Sequence, residues 1–295
     1  MPEFAHSLEC ACSGGGVVAK IASAVILLVL WAVTAVAESW TWIPVETVAV
    51  DWNDDGQKDR IILEAAKEIV ETRDPGDFHR LRIQIAGRPE FVLENVEGWV
   101  FFQDDASALS VLVDKIAGPF IYKASAVNRF KSIVRSDYFA LTPVSPRRNK
   151  EFVLLLFGYQ YASMPGKLYV IALDREGRPT VIFDKELEVS RLEDLDKDDK
   201  VELIGDPGYG EVFGPDNTFH SYAPTYIYSF FTENGCLHLR LNIELSKKFN
   251  EENYYGWVSP EEAQEYVVVE PKDGSRPRIM RLTEADRIYG RASVK

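Results

Sequence analysis

The chain has 295 residues, of which 46% are hydrophobic and 12% aromatic, enough for a core in one large domain or two smaller ones. Its formal net charge of −13 argues against nucleic-acid binding and against anionic membrane surfaces, because both of these partners are themselves negatively charged. An acidic chain of this kind remains compatible with cation binding.

Residues 1–37 have the pattern of an export signal. Lys20 precedes an apolar run over residues 21–37, and the run ends in Ala-Val-Ala, a small-x-small cleavage pattern. We predict that residues 1–37 are a cleaved signal peptide and that the protein is secreted or periplasmic. The alternative is a single membrane anchor, for which this run is at the short limit of length. Contact with a membrane is expected only if the segment stays uncleaved.

The most informative stretch follows a predicted strand over residues 45–50. In the sequence DWNDDGQKD, oxygen-bearing side chains stand at positions 1, 3, 5 and 9, and glycine stands at position 6. Alternate side chains with a sharp glycine turn let a short loop surround a hard cation, and oxygen ligands without His or Cys favour calcium. The predicted Ca²⁺ ligands are the side chains of Asp51, Asn53, Asp55 and Asp59 and the carbonyl of Gln57.

A second strand is predicted directly after this loop, over residues 60–63. An EF-hand loop lies between helices and requires a bidentate acid at position 12. Position 12 is Ile62 in this loop and Gly205 in the second loop described below, and neither side chain can bind a metal. The pattern therefore predicts a metal-binding loop between β-strands.

Three segments share the order acidic residue, apolar strand, loop and β-hairpin. The step from Asp59, Glu151 and Glu202 to the glycine of the following hairpin is 28, 26 and 33 residues, respectively. The hairpin turns are predicted at Ala86 and Gly87, at Glu176 and Gly177, and at Asn234 and Gly235. Internal repeats of about 50 residues are typical of propellers and arrays. A further, degenerate unit is predicted over residues 99–122.

The acidic loop recurs twice more along the chain. The middle copy, residues 143–151, has Arg147 and Arg148 among its positions, and we predict that it binds no calcium. The second loop, DLDKDDKVE at 194–202, keeps acids at positions 1, 3, 5 and 9 but has Asp199 in place of the glycine. Its predicted ligands are the side chains of Asp194, Asp196, Asp198 and Glu202 and the carbonyl of Lys200. The alternative is that both acidic loops are solvated turns that bind nothing.

The C-terminal residues 246–295 change character and are predicted to pack as an α/β extension on a β-repeat domain of residues 38–245. We predict a helix capped by Ser246 and ended by Gly256, a helix that starts at Ser259, a strand over residues 267–269, and a short helix capped by Thr283.

The two acidic loops and their flanking strands resemble the FG-GAP and VCBS class of repeats. The resemblance rests on DWNDDGQKD at 51–59, followed by RIIL, and on DLDKDDKVE at 194–202, followed by LI. In that class the loop joins strands of a β-propeller-like blade and binds calcium. The resemblance implies a mainly β, repeat-built, propeller-like fold, as a closed ring or as a partial, open one, with Ca²⁺ as its cofactor.

We expect a non-enzymatic binding or structural role in which Ca²⁺ stabilises the strand-linking loops, with an unidentified protein or glycan as partner. No catalytic or organic-cofactor residue is assigned, because the chain has no P-loop, G-x-G-x-x-G, G-x-S-x-G or H-E-x-x-H motif. The histidines His79, His220 and His238 lie far apart in the sequence and are expected to have ordinary roles.

The alternative is a carbohydrate-binding or carbohydrate-active module, a lyase or hydrolase, on the same scaffold. Two groups of aromatic residues motivate it, because aromatic faces can stack on sugars, although such residues more often fill a core. The first group is Tyr222, Tyr226 and Tyr228, and the second is Tyr254, Tyr255 and Trp257.

Overall fold

The computed structural model describes residues 40–66, 79–96, 133–135, 138–145, 151–157, 167–208, 212–213, 219–270 and 273–289. The predicted signal peptide and the predicted degenerate unit over residues 99–122 lie outside these ranges. The chain divides into two units, Met1–Trp40 and Thr41–Lys295, and every element named below belongs to the second. The described residues are mainly β-strand, as the sequence predicts.

Seventeen strands and two α-helices lie in the described ranges. The strands are β1 Trp42–Val50, β2 Asp59–Ala66, β3 His79–Gln84, β4 Phe91–Val96, β5 Val134–Arg135, β6 Phe139–Pro143, β7 Phe152–Phe157, β8 Lys167–Leu173, β9 Pro179–Glu186, β10 Glu188–Glu193, β11 Glu202–Asp206, β12 Val212–Phe213, β13 Phe219–Ser221, β14 Tyr226–Glu233, β15 Cys236–Leu241, β16 Tyr266–Val269 and β17 Arg278–Arg281. The helices are α1 Ile243–Asn253 and α2 Leu282–Tyr289, with a short 3₁₀ helix at Ala263–Glu265. Neither α-helix has the length and apolar character that a membrane crossing needs, as far as the described residues extend.

The strands form four antiparallel sheets, none of which closes into a ring. The first sheet has the order β1-β2-β3-β4 and the second β5-β6-β7-β8-β9; the third has β10-β11-β14-β15 and the fourth β12-β13-β16-β17. The fourth sheet therefore combines strands from both sides of residue 245.

The three predicted hairpin turns are all present, between β3 and β4, β8 and β9, and β14 and β15. Gly87, Gly177 and Gly235 adopt φ values of +71°, +73° and +74°. Tight turns between antiparallel strands need residues with positive φ, and glycine accepts this conformation without steric cost. Local turn chemistry thus fixes the hairpins at the predicted positions.

The central strands of the second sheet, β6 to β8, are buried on both faces. Leu154 and Leu156 of β7 share a core with Ile61 of the first sheet, whereas Leu155 shares a core with Leu203 of the third sheet. Neighbouring residues of a strand point to opposite faces, and a strand buried on both faces has a continuous apolar run such as FVLLLF. The first three sheets are thus stacked in chain order, with the second between the other two.

The first C-terminal helix starts earlier than predicted. Helix α1 begins at Ile243, and its capping residue is Asn242, whose side chain accepts a hydrogen bond from Leu245 N at 3.1 Å. Ser246 is therefore inside the helix and not its cap. Its buried hydroxyl instead accepts a hydrogen bond from Ile227 N of β14 at 3.0 Å. Asparagine is as good a helix cap as serine, and the Ser246 hydroxyl is already hydrogen-bonded to strand β14. The helix ends at Asn253, before Gly256.

The helix predicted to start at Ser259 is replaced by a turn and the 3₁₀ helix. Glu262 N donates to Ser259 O at 3.1 Å, and strand β16 begins directly after the 3₁₀ helix. Because Tyr266 already pairs with Arg281 of β17, the sheet leaves room for one helical turn only. The strand predicted over residues 267–269 is confirmed within β16. The last short helix is present as α2, but it begins at Leu282, so Thr283 lies inside the helix and is not its cap.

Candidate metal centre

The first acidic loop connects β1 to β2, between the paired residues Val50 and Asp59. Asp54 at position 4 and Gly56 at position 6 have φ values of +59° and +85°. Both values lie in the left-handed region, which glycine adopts most readily. Glycine at position 6 therefore serves the sharp turn for which the sequence predicts it.

The second acidic loop connects β10 to β11 in the same register, between the paired residues Glu193 and Glu202. Lys197 at position 4 and Asp199 at position 6 have φ values of +66° and +71°, so the left-handed residues recur at the same positions. Asp is one of the few residues besides glycine that enter this region at a modest cost, roughly 1 kcal/mol. The two loops share one backbone conformation despite the change from glycine to aspartate.

The loops also share four side-chain hydrogen bonds. The N–H of position 2 donates to the acid at position 9, from Trp52 to Asp59 at 2.9 Å and from Leu195 to Glu202 at 2.8 Å. The N–H groups of positions 5, 6 and 7 donate to the side chains at positions 3, 1 and 5 in both loops. Such side-chain turns are characteristic of Asp and Asn, so the loop conformation alone does not require a metal.

In the first loop, internal donors occupy the predicted ligand oxygens. Both carboxylate oxygens of Asp51, of Asp55 and of Asp59 accept hydrogen bonds from loop N–H groups, the Asn53 amide or Ala86 N. The backbone N–H of Gln57 donates to Asp55 at 2.8 Å. The acids of this loop are therefore stabilised by the protein itself.

In the second loop, carboxylate oxygens of Asp194, Asp196 and Glu202 lie within 4.8 Å of one another. Of the acidic side chains in the described ranges, this is the group that converges closely enough to hold a metal ion. Oδ1 of Asp194 is buried and accepts no hydrogen bond from a described residue. A buried carboxylate oxygen without a donor costs free energy that a bound cation would recover. Oxygen ligands of this kind suit a hard cation.

The electrostatics of Glu202 agree with this geometry. Glu202 is only 1% exposed, and burial raises its pKa to about 7. The hydrogen bond from the N–H of Leu195 acts in the opposite direction and lowers the pKa. The negative charges of Asp194, Asp196 and Asp198 raise this pKa further. A cation between these acids would favour the ionised form and reverse the effect.

One predicted side-chain ligand of the second loop, Asp198, lies outside the convergent group. Asp198 at position 5 is exposed and accepts a hydrogen bond from Lys200 N at 2.8 Å. Asp196 is also exposed, so the group opens to solvent on the side of the loop tip. An ion could therefore enter from solvent and complete its coordination with water.

The middle copy of the loop contacts the second loop. The Ser145 hydroxyl donates to Asp199 Oδ2 at 2.9 Å, and Val201 N donates to Val144 O at 2.9 Å. Residues 146–150 lie outside the described ranges, so the expected lack of calcium there stays a prediction. No role is predicted for Ser145 from the sequence. A role could have been inferred from its hydroxyl at position 3, where the other two loops have Asn and Asp.

The structure brings together the two aromatic groups of the carbohydrate alternative. The rings of Tyr226 and Trp257 meet edge to face, with centroids 6.2 Å apart, and those of Tyr226 and Tyr228 with centroids 6.5 Å apart. His79, His220 and His238 lie on the separate strands β3, β13 and β15.

Comparison of the chain with family models, with curated proteins and with solved structures found no match.

Proposed function

We propose that the protein is a non-enzymatic binding or structural protein that holds a stabilising Ca²⁺ ion in its second acidic loop. The ligands are Asp194, Asp196 and Glu202. The observation that carries the proposal is the convergence of these three carboxylates around a loop in which one buried oxygen of Asp194 has no hydrogen-bond donor. Such a cluster is stable at neutral pH only if a positive charge or a proton enters it.

Calcium fits the site better than the other common metals. Three carboxylate oxygens within 4.8 Å of one another are close enough to bind one Ca²⁺ together, because each Ca–O distance is about 2.4 Å. Zinc and copper prefer His and Cys, and the loop offers neither. Magnesium demands near-ideal octahedral geometry, whereas calcium tolerates irregular ligand sets completed by carbonyls and water.

The first loop is proposed as a weaker site. Its acids are engaged by internal N–H groups, and Asp51, Asp55 and Asp59 do not form a convergent group. An ion there must compete with these hydrogen bonds or rearrange the loop. The sequence ranks the loops in the opposite order, because glycine at position 6 favours the first.

The stacked sheets support a partial, open, propeller-like array as the finer architecture. The first and third sheets carry acidic loops of one conformation, and the middle turn of the second sheet contacts the second loop through Ser145. Trp52 Nε1 of the first loop donates to Phe152 O at the start of β7, at 3.3 Å. These contacts suit repeats related to the FG-GAP and VCBS class. Calcium sites of extracellular proteins have dissociation constants of about 10⁻⁴–10⁻³ M, in keeping with a secreted or periplasmic location.

The test is thermal unfolding of the full-length protein with CaCl₂, with MgCl₂ and with chelator. We expect a calcium-specific stabilisation of about 2.7 kcal/mol when free Ca²⁺ exceeds the dissociation constant by about 100-fold. That corresponds to a rise of several degrees in melting temperature. The variant Asp196→Asn should lose part of this rise, because its amide oxygen can still bind the ion but the negative charge is gone.

Asp196→Asn is a conservative variant, because the first loop already has asparagine at this position and keeps the same backbone conformation. Asp51→Asn in the first loop is the matched control and should keep the calcium effect. A melting temperature that does not respond to calcium, or a response that Asp196→Asn leaves intact, would rule out the proposed site.

A further inference from the structure

A cavity of about 400 Å³ lies beyond the C-terminal end of β11. The second loop is at the N-terminal end of the same strand. The cavity lies between the start of β14 and strands β13 and β16. Its walls include three tyrosine rings and two prolines, together with one exposed amide; these residues are Tyr222, Tyr226, Tyr266, Pro207, Pro260 and Gln264. None of its lining residues belongs to an acidic loop. The volume is that of a site for a small ligand.

The tyrosine rings are held in place before any ligand binds. The hydroxyl of Tyr222 accepts a hydrogen bond from Val258 N at 2.9 Å and donates to Gly256 O at 3.3 Å. The ring of Tyr226 is supported edge to face by Trp257 and Tyr228. A wall of fixed rings loses little conformational freedom on binding, which favours affinity.

The chemistry of the lining is neutral. Among the described residues that line the cavity there is no Asp, Glu, Lys or Arg. Burial raises the pKa of Tyr226 to about 12, so its hydroxyl stays protonated at neutral pH. Arg281 lies 5.2 Å from the ring centroid of Tyr266, and the charge of Glu261 acts on Tyr226, so the flanking charges have opposite signs and favour neither an anion nor a cation. The net charge of −13 further disfavours anions.

The polar groups of the cavity can both donate and accept hydrogen bonds. They include the hydroxyl of Tyr226 and the side-chain amide of Gln264. Sugar hydroxyls have the same double character, and the C–H faces of a pyranose ring pack against aromatic rings. A proline-rich peptide also packs on tyrosines, but its backbone offers acceptors and almost no donors.

We propose that this cavity is a binding site for a neutral saccharide, with a sugar ring packed on the tyrosine wall and its hydroxyls bonded to Gln264 and Tyr226. The site is separate from the calcium loop and does not depend on it. It is a binding site and not a catalytic one.

The test is calorimetric titration of the full-length protein with cellohexaose, xylohexaose, mannohexaose and maltohexaose. Oligogalacturonate, choline and decaproline serve as anionic, cationic and peptide probes. We expect at least one neutral hexasaccharide to bind and the three other probes not to bind. The variant Tyr226→Ala should weaken binding about tenfold or more, as expected when an aromatic contact and a hydrogen bond are lost together.

Gln264→Leu is the second variant, because Gln264 is exposed and its replacement leaves the fold intact. It should weaken saccharide binding about tenfold, the effect of a lost hydrogen bond in a site partly shielded from water. Tyr254→Ala is the control; this tyrosine is 41% exposed and does not line the cavity. The proposal is overturned if no neutral hexasaccharide binds, if only choline, oligogalacturonate or decaproline binds, or if Gln264→Leu and Tyr226→Ala bind the saccharide as the native protein does.

Discussion

The side chain of Asn250 in α1 forms two hydrogen bonds with the backbone of Thr225, just before β14. Its Oδ1 accepts from Thr225 N at 3.0 Å, and its Nδ2 donates to Thr225 O at 2.7 Å. The neighbouring strand β15 ends at Leu241, opposite Tyr228, and so does not reach Thr225. Asn250 thus takes the place of a backbone partner, in a position where it is only 1% exposed.

Replacing Asn250 should be strongly destabilising. Asn250→Leu keeps the side-chain size but leaves the N–H and C=O of Thr225 buried without this partner. We expect a loss of about 2–4 kcal/mol in the free energy of unfolding, because each buried unsatisfied group costs about 1–3 kcal/mol. Urea denaturation measures it. Asn253→Leu, on the exposed end of the same helix, is the control and should change stability by less than about 1 kcal/mol. Equal effects of the two variants would contradict the role of Asn250.

Stability without metal should depend on pH through Glu202. Its pKa is raised from 4.5 to about 7 in the folded protein, so between these values the folded state binds the proton more tightly than the unfolded state. Stability therefore falls as pH rises through this window, by up to about 3 kcal/mol. The measurement is urea denaturation in chelator from pH 4.5 to pH 8. Because other groups also titrate, the quantity to compare is the difference between the native protein and Glu202→Gln.

Glu202→Gln keeps an acceptor for Leu195 N but cannot ionise, and its stability should fall less over the same window. Added Ca²⁺ should remove most of the fall in the native protein, because the ion stabilises the ionised carboxylate. Parallel pH profiles of the two proteins in chelator would show that Glu202 does not titrate in this range.

Trp52 offers a direct report on the first loop. It is only 3% exposed, and its N–H groups donate to Asp59 and to Phe152 O. If the second loop binds calcium more tightly, Ca²⁺ at concentrations that saturate the second loop should leave the Trp52 fluorescence unchanged. The spectra to compare are those of the native protein and of Trp52→Phe during one calcium titration. A calcium-dependent signal that is lost in Trp52→Phe, and that precedes the thermal stabilisation, would reverse the proposed order of affinities.

Ser145 should contribute to stability through Asp199. Ser145 is 7% exposed, and Ser145→Ala removes its hydrogen bond to the Asp199 carboxylate. We expect a loss of about 1.5–3 kcal/mol in the free energy of unfolding. A double-mutant cycle with Asp199→Asn measures their interaction. Asn accepts the left-handed conformation and removes the charge, so a coupling of at least about 0.5 kcal/mol is expected. Strict additivity of the two losses would indicate that the contact contributes nothing.

The parts of the fold that local chemistry determines could be predicted from the sequence. The hairpin glycines and the apolar run of β7 need no distant partner to be recognised. The start of α1 could not be predicted in this way, because Asn242 and Ser246 are both good caps. The choice depends on β14, whose Ile227 holds the Ser246 hydroxyl from 19 positions earlier in the chain.

The candidate site was predicted in part. Spacing located both loops, since alternate acids and a turn are local features. The order of affinities proposed here differs from the one that glycine at position 6 favours, because it depends on long-range geometry. In the first loop Asp59 accepts Ala86 N from 27 residues away, whereas Asp194 in the second has a buried oxygen with no donor among the described residues. Local rules make Asp199 less favourable than glycine at position 6, because its φ is positive. Its hydrogen bond from Ser145 comes from a distant part of the chain and is not visible to those rules.

The link between Asn250 and Thr225 has a consequence for synthesis of the protein. The two residues are 25 positions apart, so Thr225 leaves the ribosome well before the side chain that completes its bonding. Translation proceeds at about 5–20 residues per second, which leaves that stretch of the nascent chain uncovered for about one to five seconds. During that interval, another newly made segment can pair with it. Emergence of α1 ends this exposure, because Asn250 then supplies both hydrogen-bond partners of Thr225.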